Sequence, residues 1–223
     1  MSKVLILVEG QTEEAFIKTV LAPHLASLNI FPVVTIITTR RRPDQKDFKD
    51  GITSYLKIKT DLRPLLNDSS AALVTTMIDY YGLPHDFPGL SDCPNASCHD
   101  RVSHIERAFA NDIGQEKFLP YLSLHEFEAL LFVSPRHLDA HFPSQNRLQQ
   151  LAQIKTQFLS PEEINNNADT APSKRLRRIY PEYQKRTDGP TIAGKIGLEM
   201  IRNECRHFNE WLIKLESFGG GPT

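Results

Sequence analysis

The sequence lacks the features that mark membrane, secreted and polybasic proteins. It has no apolar run long enough to cross a bilayer, and its first residues enter a strand-like pattern without the layout of a signal peptide. Three cysteines make no disulfide framework, which favours a reducing environment. With a formal net charge of -1, a nucleic-acid site must come from local clusters of charge. These absences predict a cytoplasmic protein that makes no contact with a membrane.

Two motifs that would identify a nucleotide or ester site are also missing. Gly194 and Gly197 are not spaced as in a phosphate-binding P-loop, and no Gly-x-Ser-x-Gly elbow is present. Without that elbow, a hydrolase triad of His125 with Ser123 or Ser134 is disfavoured. The remaining composition is that of a globular protein, with 40% hydrophobic and 24% charged residues among 223. That length suffices for one large domain with a sizeable core.

Short apolar runs rich in β-branched residues alternate with helical patterns in the first part of the chain. The predicted strands are 4–8, 31–38, 71–78 and 118–124, and the predicted helices are 12–28, 52–66, 101–110 and 127–132. This alternation is typical of a parallel sheet.

Strand patterns are absent after Ser134, where only helical segments follow. These segments lie around 148–158, 173–179 and 192–215. We therefore expect an α/β fold, a Rossmann-like parallel sheet flanked by helices over residues 1–133. A helical C-terminal extension over residues 134–223 is expected to pack on the same domain.

Acidic residues follow three of the predicted strands. Glu9 follows the first, Asp79 the third, and Glu126 and Glu128 the fourth. The carboxyl ends of parallel strands share one edge of a sheet, where ligands bind. Converging carboxylates require a cation, and hard oxygen ligands select Mg²⁺ or Mn²⁺. The pattern predicts a metal site. Two alternatives stay open, namely an acid that acts in proton transfer and acids that merely belong to surface turns.

Three segments around these acids resemble motifs of a known family. Leu7–Phe16 (LVEGQTEEAF) resembles the opening of a TOPRIM domain, in the form found in Overcoming-Lysogenization-Defect (OLD) nucleases. Met77–Gly82 (MIDYYG) stands at the place of the family's Asp-x-Asp motif, and His125–Leu130 (HEFEAL) resembles its later acidic motif. The whole chain, including Pro172–Arg175 and Asp188–Pro190, is similar to a stand-alone bacterial TOPRIM-like family of unknown function.

The resemblance implies a TOPRIM-like fold and a role for each acid. Glu9 would be the general acid/base or a metal ligand, and Asp79 would be a catalytic metal ligand. Glu126 or Glu128 would complete the site. Residues two apart on a helix do not share a face, so one of the two is expected to point inward. We favour Glu128, because Glu126 could cap the helix that begins there.

One residue departs from the family pattern. Tyr81 stands where the second aspartate of the Asp-x-Asp motif belongs, and a tyrosine does not replace a carboxylate as an ordinary Mg²⁺ ligand. One metal position is therefore weakened, or is filled by Asp86, Glu126 or Glu128. The departure bears on a two-metal mechanism more than on the fold.

Basic residues cluster in two places that suit a phosphate backbone. The first cluster is Arg40, Arg41 and Arg42, and the second is Lys174, Arg175, Arg177 and Arg178. For each cluster, a solvated charged face is the alternative. Lys195 is a further candidate, as a catalytic cation that stabilises phosphate at the metal site.

The acids and the resemblance together predict metal-dependent cleavage of nucleic acid, with DNA favoured over RNA. Related TOPRIM nucleases work with ATPase domains, and this chain lacks a P-loop. Analogy therefore implies a separate ATPase partner and a setting in phage defence. The rival hypothesis is a catalytically degenerate TOPRIM module that binds nucleic acid or a partner protein.

A zinc site is a less favoured interpretation of the segment around 93–104. Cys93, Cys98 and His99 would supply three ligands, with His85 or His104 as the fourth. Because the spacing is loose and no second cysteine pair exists, ordinary surface-loop cysteines are favoured instead.

Overall fold

The computed structural model describes residues 1–38, 52–142, 147–165 and 169–219. Within them, five strands form a sheet in the order β2-β1-β3-β4, with β5 also paired to β3. The strands are β1 (Ser2–Val8), β2 (Ile30–Ile36), β3 (Ala71–Asp79), β4 (Phe118–Leu119) and β5 (Leu122–Ser123). Every pairing is parallel. The predicted α/β class, a Rossmann-like parallel sheet flanked by helices, is therefore confirmed.

Ten α-helices accompany this sheet in the described part of the chain. They are α1 (Gln11–Phe16), α2 (Ala22–Ser27), α3 (Tyr55–Leu66), α4 (Cys98–Ile113), α5 (Pro135–His141), α6 (Leu148–Lys155), α7 (Pro172–Ile179), α8 (Lys185–Ile196), α9 (Leu198–Glu204) and α10 (Arg206–Glu216). Short 3₁₀-helices cover Tyr80–Gly82, Phe127–Val133 and Pro161–Glu163, and a π-helical turn covers Ile17–Leu21. None of the helices in these residues has the length and apolar character needed to span a membrane.

β1 is apolar from Val4 to Val8 because both of its faces are covered there. Val4, Ile6 and Val8 belong to one hydrophobic core, and Leu5 and Leu7 belong to a second. Successive side chains of a strand point to opposite faces, so the two cores lie on opposite sides of the sheet. A strand buried in this way reads as a continuous apolar run rather than an alternating one.

The helical part after residue 134 completes the first core. Trp211 stacks on Tyr121 with ring centroids 4.4 Å apart, and its Nε1 donates to Thr75 Oγ1 at 2.9 Å. Phe16 and Phe127 meet edge to face, with centroids 5.3 Å apart. Burial of these aromatic rings ties the C-terminal helices to one face of the sheet.

The fourth strand differs from the prediction, because Pro120 divides it into β4 and β5. Proline has no N–H to donate to a ladder, so pairing with β3 is interrupted there. The Thr76 hydroxyl fills the gap: it accepts from Tyr121 N and donates to Tyr121 O, both at 2.9 Å. Pairing with β3 therefore continues in β5, which places the segment after Ser123 at the end of β3.

Two predicted helices are also subdivided. The predicted helix 192–215 lies within α8, α9 and α10, and Gly197, with a φ of 84°, separates α8 from α9. The predicted helix 12–28 passes through the π-helical turn just before Pro23. Proline cannot donate to the carbonyl four residues earlier, which accounts for the irregular turn at this point.

Candidate functional site

The carboxyl ends of β1 and β3 bring Glu9 and Asp79 together. The Glu9 N–H extends the ladder by donating to Met77 O at 3.2 Å. The Asp79 N–H donates to Glu9 Oε2 at 3.1 Å, so the Glu9 side chain lies across the end of β3. Asp79 Oδ1 accepts from Phe127 N at 3.0 Å and fixes the start of the following 3₁₀-helix. Three chain segments therefore meet at one edge of the sheet.

Glu126 and Glu128 reach this edge with different partners. Glu126 precedes the 3₁₀-helix in extended backbone, and its carboxylate accepts from Ser173 N at 2.9 Å and Ser173 Oγ at 3.0 Å. It thus caps the first turn of α7 rather than its own helix. Glu128 is fully buried and accepts a long hydrogen bond from Tyr183 OH at 3.4 Å. Its other oxygen, Oε2, has no hydrogen bond among the described residues.

Lys185 is the cation that lies among these acids. Its Nζ is 3.1 Å from Glu128 Oε2, an ion-pair contact without hydrogen-bond geometry, and 3.6 Å from Asp79 Oδ2. Lys185 begins α8, which packs against α1. In the sequence, Lys185 adjoins another basic residue, Arg186, and was not assigned to the site. Only the neighbouring Tyr183, buried in the first core, signals that the chain turns inward here.

Glu13, in the first turn of α1, is a further acid at this edge that the sequence analysis did not assign to the site. It is 3% exposed, and a Cβ at Gly10 would lie 3.4 Å from Glu13 Oε2. Its spacing was an available signal, because Glu13 precedes the buried Ile17 by four residues and shares its helical face. An acid on the buried face of an amphipathic helix requires a partner or a ligand.

The acids titrate as members of a crowded, buried group. Burial first, and then Asp79, raises the pKa of Glu9 to about 7. Burial likewise raises the pKa of Glu13 to about 7, against the opposing charge of Lys185. Burial also raises the pKa of Asp79 and of Glu128. Although burial alone would lower it, the carboxylates of Asp79 and Glu128 raise the pKa of Lys185. Four buried acids therefore share one lysine in the described part of the chain, and burial favours the protonated forms of these acids.

The donor set fits Mg²⁺ or Mn²⁺, because it consists of carboxylate oxygens. The buried Oε2 of Glu128 has an ion pair with Lys185 but no hydrogen bond among the described residues, and a divalent cation would satisfy such an atom. No three of these acids bring ligand atoms within 4.8 Å of one another in the described part of the chain. The arrangement therefore suits an ion held by one or two carboxylates with waters, as Mg²⁺ usually is, rather than by a cage of three.

The other residues proposed for the site lie elsewhere. Lys195 is exposed, with its Nζ 3.2 Å from His141 Nδ1. It stands at the far end of α8, about 15 Å along the axis from Lys185. Asp86 accepts from Tyr55 N at 2.9 Å, at the start of α3. Tyr81 is 45% exposed. Of the replacements considered for the missing aspartate, only the two glutamates after β5 reach the acids.

The second basic cluster lies on α7, which begins at the Ser173 contact with Glu126. Lys174, Arg177 and Arg178 are exposed. Arg175 is partly engaged, because its Nε donates to Thr170 O at 2.6 Å and its guanidinium lies 5.7 Å from the Phe158 ring. The first cluster, Arg40, Arg41 and Arg42, lies outside the described residues.

The structure does not assemble the hydrolase triad in its described residues. Ser134 Oγ lies 2.7 Å from His137 Nδ1 instead of His125. The His125 ring meets Tyr80 edge to face, and burial lowers its pKa to about 4. Ser123 is buried in β5. No hydrogen bond between the described residues joins His125 to either serine.

Comparison with known families bears on the whole of this site. Residues 8–216 match the model of a family described as a domain of unknown function, DUF4276. No curated protein and no solved structure matches the chain significantly. The matched range includes every acid of the site and Lys185, and it spans most of the 223 residues. The chain belongs to the DUF4276 family.

Proposed function

We propose that this protein is a Mg²⁺- or Mn²⁺-dependent nuclease that hydrolyses phosphodiester bonds of nucleic acid, as the TOPRIM nucleases that it resembles do. One observation carries the proposal. Glu9, Asp79 and Glu128 converge at the carboxyl edge of a parallel sheet, with Lys185 as the cation against them. Structural acids are normally satisfied by local donors. An excess of buried acid is the arrangement expected where a divalent cation binds.

The acids divide the work of the proposed site. Asp79 and Glu128 would hold the ion, which when bound activates water and offsets charge on the phosphodiester. The pKa of Glu9 is about 7, so this side chain can accept or donate a proton near neutral pH. Its Oε2 accepts from the Asp79 N–H, which leaves Oε1 for the proton. Gly82 adjoins that atom, and a Cβ there would make an ordinary van der Waals contact with it at 3.6 Å.

Two features supply contacts for a polyanion. Lys185 would contact a phosphate oxygen once a metal ion offsets the acids around it. The exposed Lys174, Arg177 and Arg178 of α7 extend from the Glu126 contact and would hold the backbone beyond the cleavage point. We favour DNA as the substrate. A separate ATPase partner and a role in phage defence belong to the same proposal, by analogy with related nucleases.

A second candidate function rests on Lys185 and Tyr81. An ion pair of Lys185 with Glu128 stabilises the acids without a metal, and the tyrosine removes one carboxylate of the family pattern. A module with these properties would bind nucleic acid or a partner protein without cutting. The two candidates differ in whether Mg²⁺ binds at all.

Calorimetric metal titration of the full chain, beside a cleavage assay, tests the proposal. Substrates are plasmid, single-stranded DNA and RNA, with Mg²⁺ or Mn²⁺. Asp79→Asn should reduce cleavage by at least ~10²-fold and weaken metal binding. Glu14→Gln is the control, because Glu14 lies in α1 beside the buried Glu13 but pairs with Lys18. Nucleic-acid binding without metal binding or cleavage would support the second candidate, and cleavage unchanged in Asp79→Asn would refute the first.

A further inference from the structure

The start of α4 carries part of a second group of metal-ligating side chains. This group is separate from the carboxylate edge, the edge of the sheet where Glu9, Asp79 and Glu128 meet. Cys98 and His99 are the first two residues of α4, and Glu163 ends the 3₁₀-helix Pro161–Glu163 in the C-terminal part. One ligand atom from each lies within 4.8 Å of the other two. Within the described ranges, this is the one group of three or more such residues at that spacing.

The distance between two of these atoms resembles that between ligands of one ion. His99 Nε2 and Glu163 Oε1 are 3.6 Å apart, which is too long for a hydrogen bond. Two ligands of a tetrahedral zinc ion, each about 2.05 Å from it, are separated by about 3.4 Å. A small movement of either side chain would therefore place both atoms on a shared ion.

The supporting contacts hold the ligands in place. Ser97 Oγ accepts from Asp100 N at 3.2 Å and so caps α4, which fixes the first turn that carries Cys98 and His99. Glu163 Oε2 accepts from Leu159 N at 3.3 Å, leaving Oε1 directed to the histidine. Hydrogen bonds of this kind orient ligands in metal sites.

The chemistry of the group selects a softer ion than the carboxylate edge does. A thiolate, an imidazole and one carboxylate suit Zn²⁺, whereas Mg²⁺ prefers oxygen donors alone. All three side chains are partly exposed, so a fourth position is open to water. Burial raises the pKa of Cys98, and Glu163 adds to the effect. Zinc binding would displace the thiol proton to solvent.

We propose that Cys98, His99 and Glu163 bind one Zn²⁺ ion, with water as the fourth ligand. The ion would fasten the start of α4 to the C-terminal helical part, since its ligands come from both. Cys93 is not part of the site, because it does not belong to the group of side chains whose ligand atoms lie within 4.8 Å of one another. His104 Nε2 likewise lies 3.5 Å from Asp92. The ligand set therefore differs from the cysteine-rich set that the sequence suggested.

Cobalt substitution of the full chain tests this site, because a Co²⁺–thiolate bond absorbs in the near ultraviolet. We expect one equivalent of Co²⁺ to produce this absorption together with tetrahedral bands in the visible range, and Zn²⁺ to displace it. Cys98→Ser should abolish the near-ultraviolet absorption, and Glu163→Gln should weaken Zn²⁺ binding at least ~10-fold. Circular dichroism confirms that each variant is folded, and His99→Asn provides a second ligand variant.

Two controls separate this site from its surroundings. Cys93→Ser removes a neighbouring thiol, and Asp79→Asn alters the carboxylate edge, so both should leave the absorption unchanged. Absence of the absorption in the unmodified chain would overturn the proposal. So would its persistence in Cys98→Ser or its loss in Cys93→Ser. The readout does not depend on nuclease activity, so the zinc site stands or fails independently of the proposed function.

Discussion

Two groups of buried carboxylates are held in opposite ways in this protein. Glu162, 1% exposed, accepts from His207 N and Phe208 N, each at 2.9 Å, and so caps the start of α10. Glu128, also fully buried, has one long hydrogen bond and an ion pair to Lys185. The first acid accepts hydrogen bonds from two backbone N–H groups at the start of one helix, whereas the second depends on one lysine that it shares with Asp79.

The difference separates a structural acid from a candidate ligand. Burial raises the pKa of both Glu162 and Glu128, so a perturbed pKa alone does not distinguish them. The number of hydrogen-bond donors to each carboxylate does distinguish them. A carboxylate satisfied by helix N–H groups gains nothing from a cation, whereas acids that share one ammonium group remain under-neutralised. Substitutions at each place should therefore affect stability and activity in opposite proportions.

Removal of Lys185 should produce the largest effect. Lys185→Met leaves Glu128 and Asp79 without their cation, and breaking such a buried pair costs about 3–5 kcal/mol. The lower end is expected, because the lysine side chain is 30% exposed. The loss should be larger at pH 8 than at pH 5, because burial raises the pKa of both acids and a lower pH favours their protonated forms. Urea denaturation at both pH values measures it, and Lys195→Met is the matched exposed control.

Glu9→Gln should separate activity from stability. The pKa of Glu9 rises from 4.5 to about 7 on folding, so the folded state binds more protons than the unfolded state between those values. The stability that Glu9 contributes is therefore fully present below pH 4.5 and is lost as the pH increases through 7. Replacing the carboxyl group with an amide should reduce this pH-dependent loss of stability by up to about 3 kcal/mol. Cleavage should fall ~10²-fold in the same variant.

Denaturation curves from pH 4 to pH 8, with and without Mg²⁺, measure the stability effect of Glu9→Gln. Glu14→Gln, in the same region but paired with Lys18, should retain the pH dependence of the unmodified chain. An unaltered slope in Glu9→Gln, together with full cleavage activity, would place Glu9 with the structural acids.

Glu162→Gln should behave in the opposite manner. The amide keeps one acceptor oxygen but presents an N–H₂ group to one of the two N–H donors of α10, which costs about 2 kcal/mol. Activity per folded molecule should be unchanged, because Glu162 accepts its hydrogen bonds from α10 and not from the carboxylate edge. Chemical denaturation and cleavage assays on the same sample test both statements. Loss of activity without loss of stability would contradict this assignment.

The sheet could be predicted from the sequence because the patterns that indicate its strands are local. The apolar run of β1 and the strand ends at Glu9 and Asp79 needed only neighbouring residues to interpret. The interruption at Pro120 was also a local signal, but the Thr76 hydroxyl that restores pairing comes from another strand. The type of each element could be predicted despite such interruptions. The boundaries of the elements, and the 3₁₀ character of the segment after β5, depended on packing.

The partners of the acids could not be predicted from the sequence, since they come from distant segments of the chain. Lys185 meets Asp79 only because α8 packs on α1, and no periodicity in the sequence encodes that contact. The same limit applies to Glu163, which joins Cys98 and His99 from another part of the chain. Local patterns identify which residues are chemically suited to a site, whereas tertiary packing decides which of them meet.

Glu126 lies between the two classes of acid, and Glu126→Gln should have the smallest effect. Like Glu162, it accepts two hydrogen bonds at the start of a helix, from Ser173 N and Ser173 Oγ. Like Glu128, it lies close enough to raise the pKa of Asp79, and it also raises the pKa of Glu9. Because both of its oxygens already have donors, we expect structural behaviour. Glu126→Gln should cost about 1 kcal/mol or less, the usual range for a helix cap.

Cleavage by Glu126→Gln should remain within about three-fold of that by the unmodified chain, well below the ~10²-fold loss expected for an acid that takes part in the proposed chemistry. Glu128→Gln is the matched comparison, because it changes the same side chain two residues away and should reduce metal binding. Calorimetric titration with Mn²⁺ distinguishes the pair. If Glu126→Gln weakened the metal as much as Glu128→Gln does, satisfied hydrogen bonds would no longer separate structural acids from ligands in this protein.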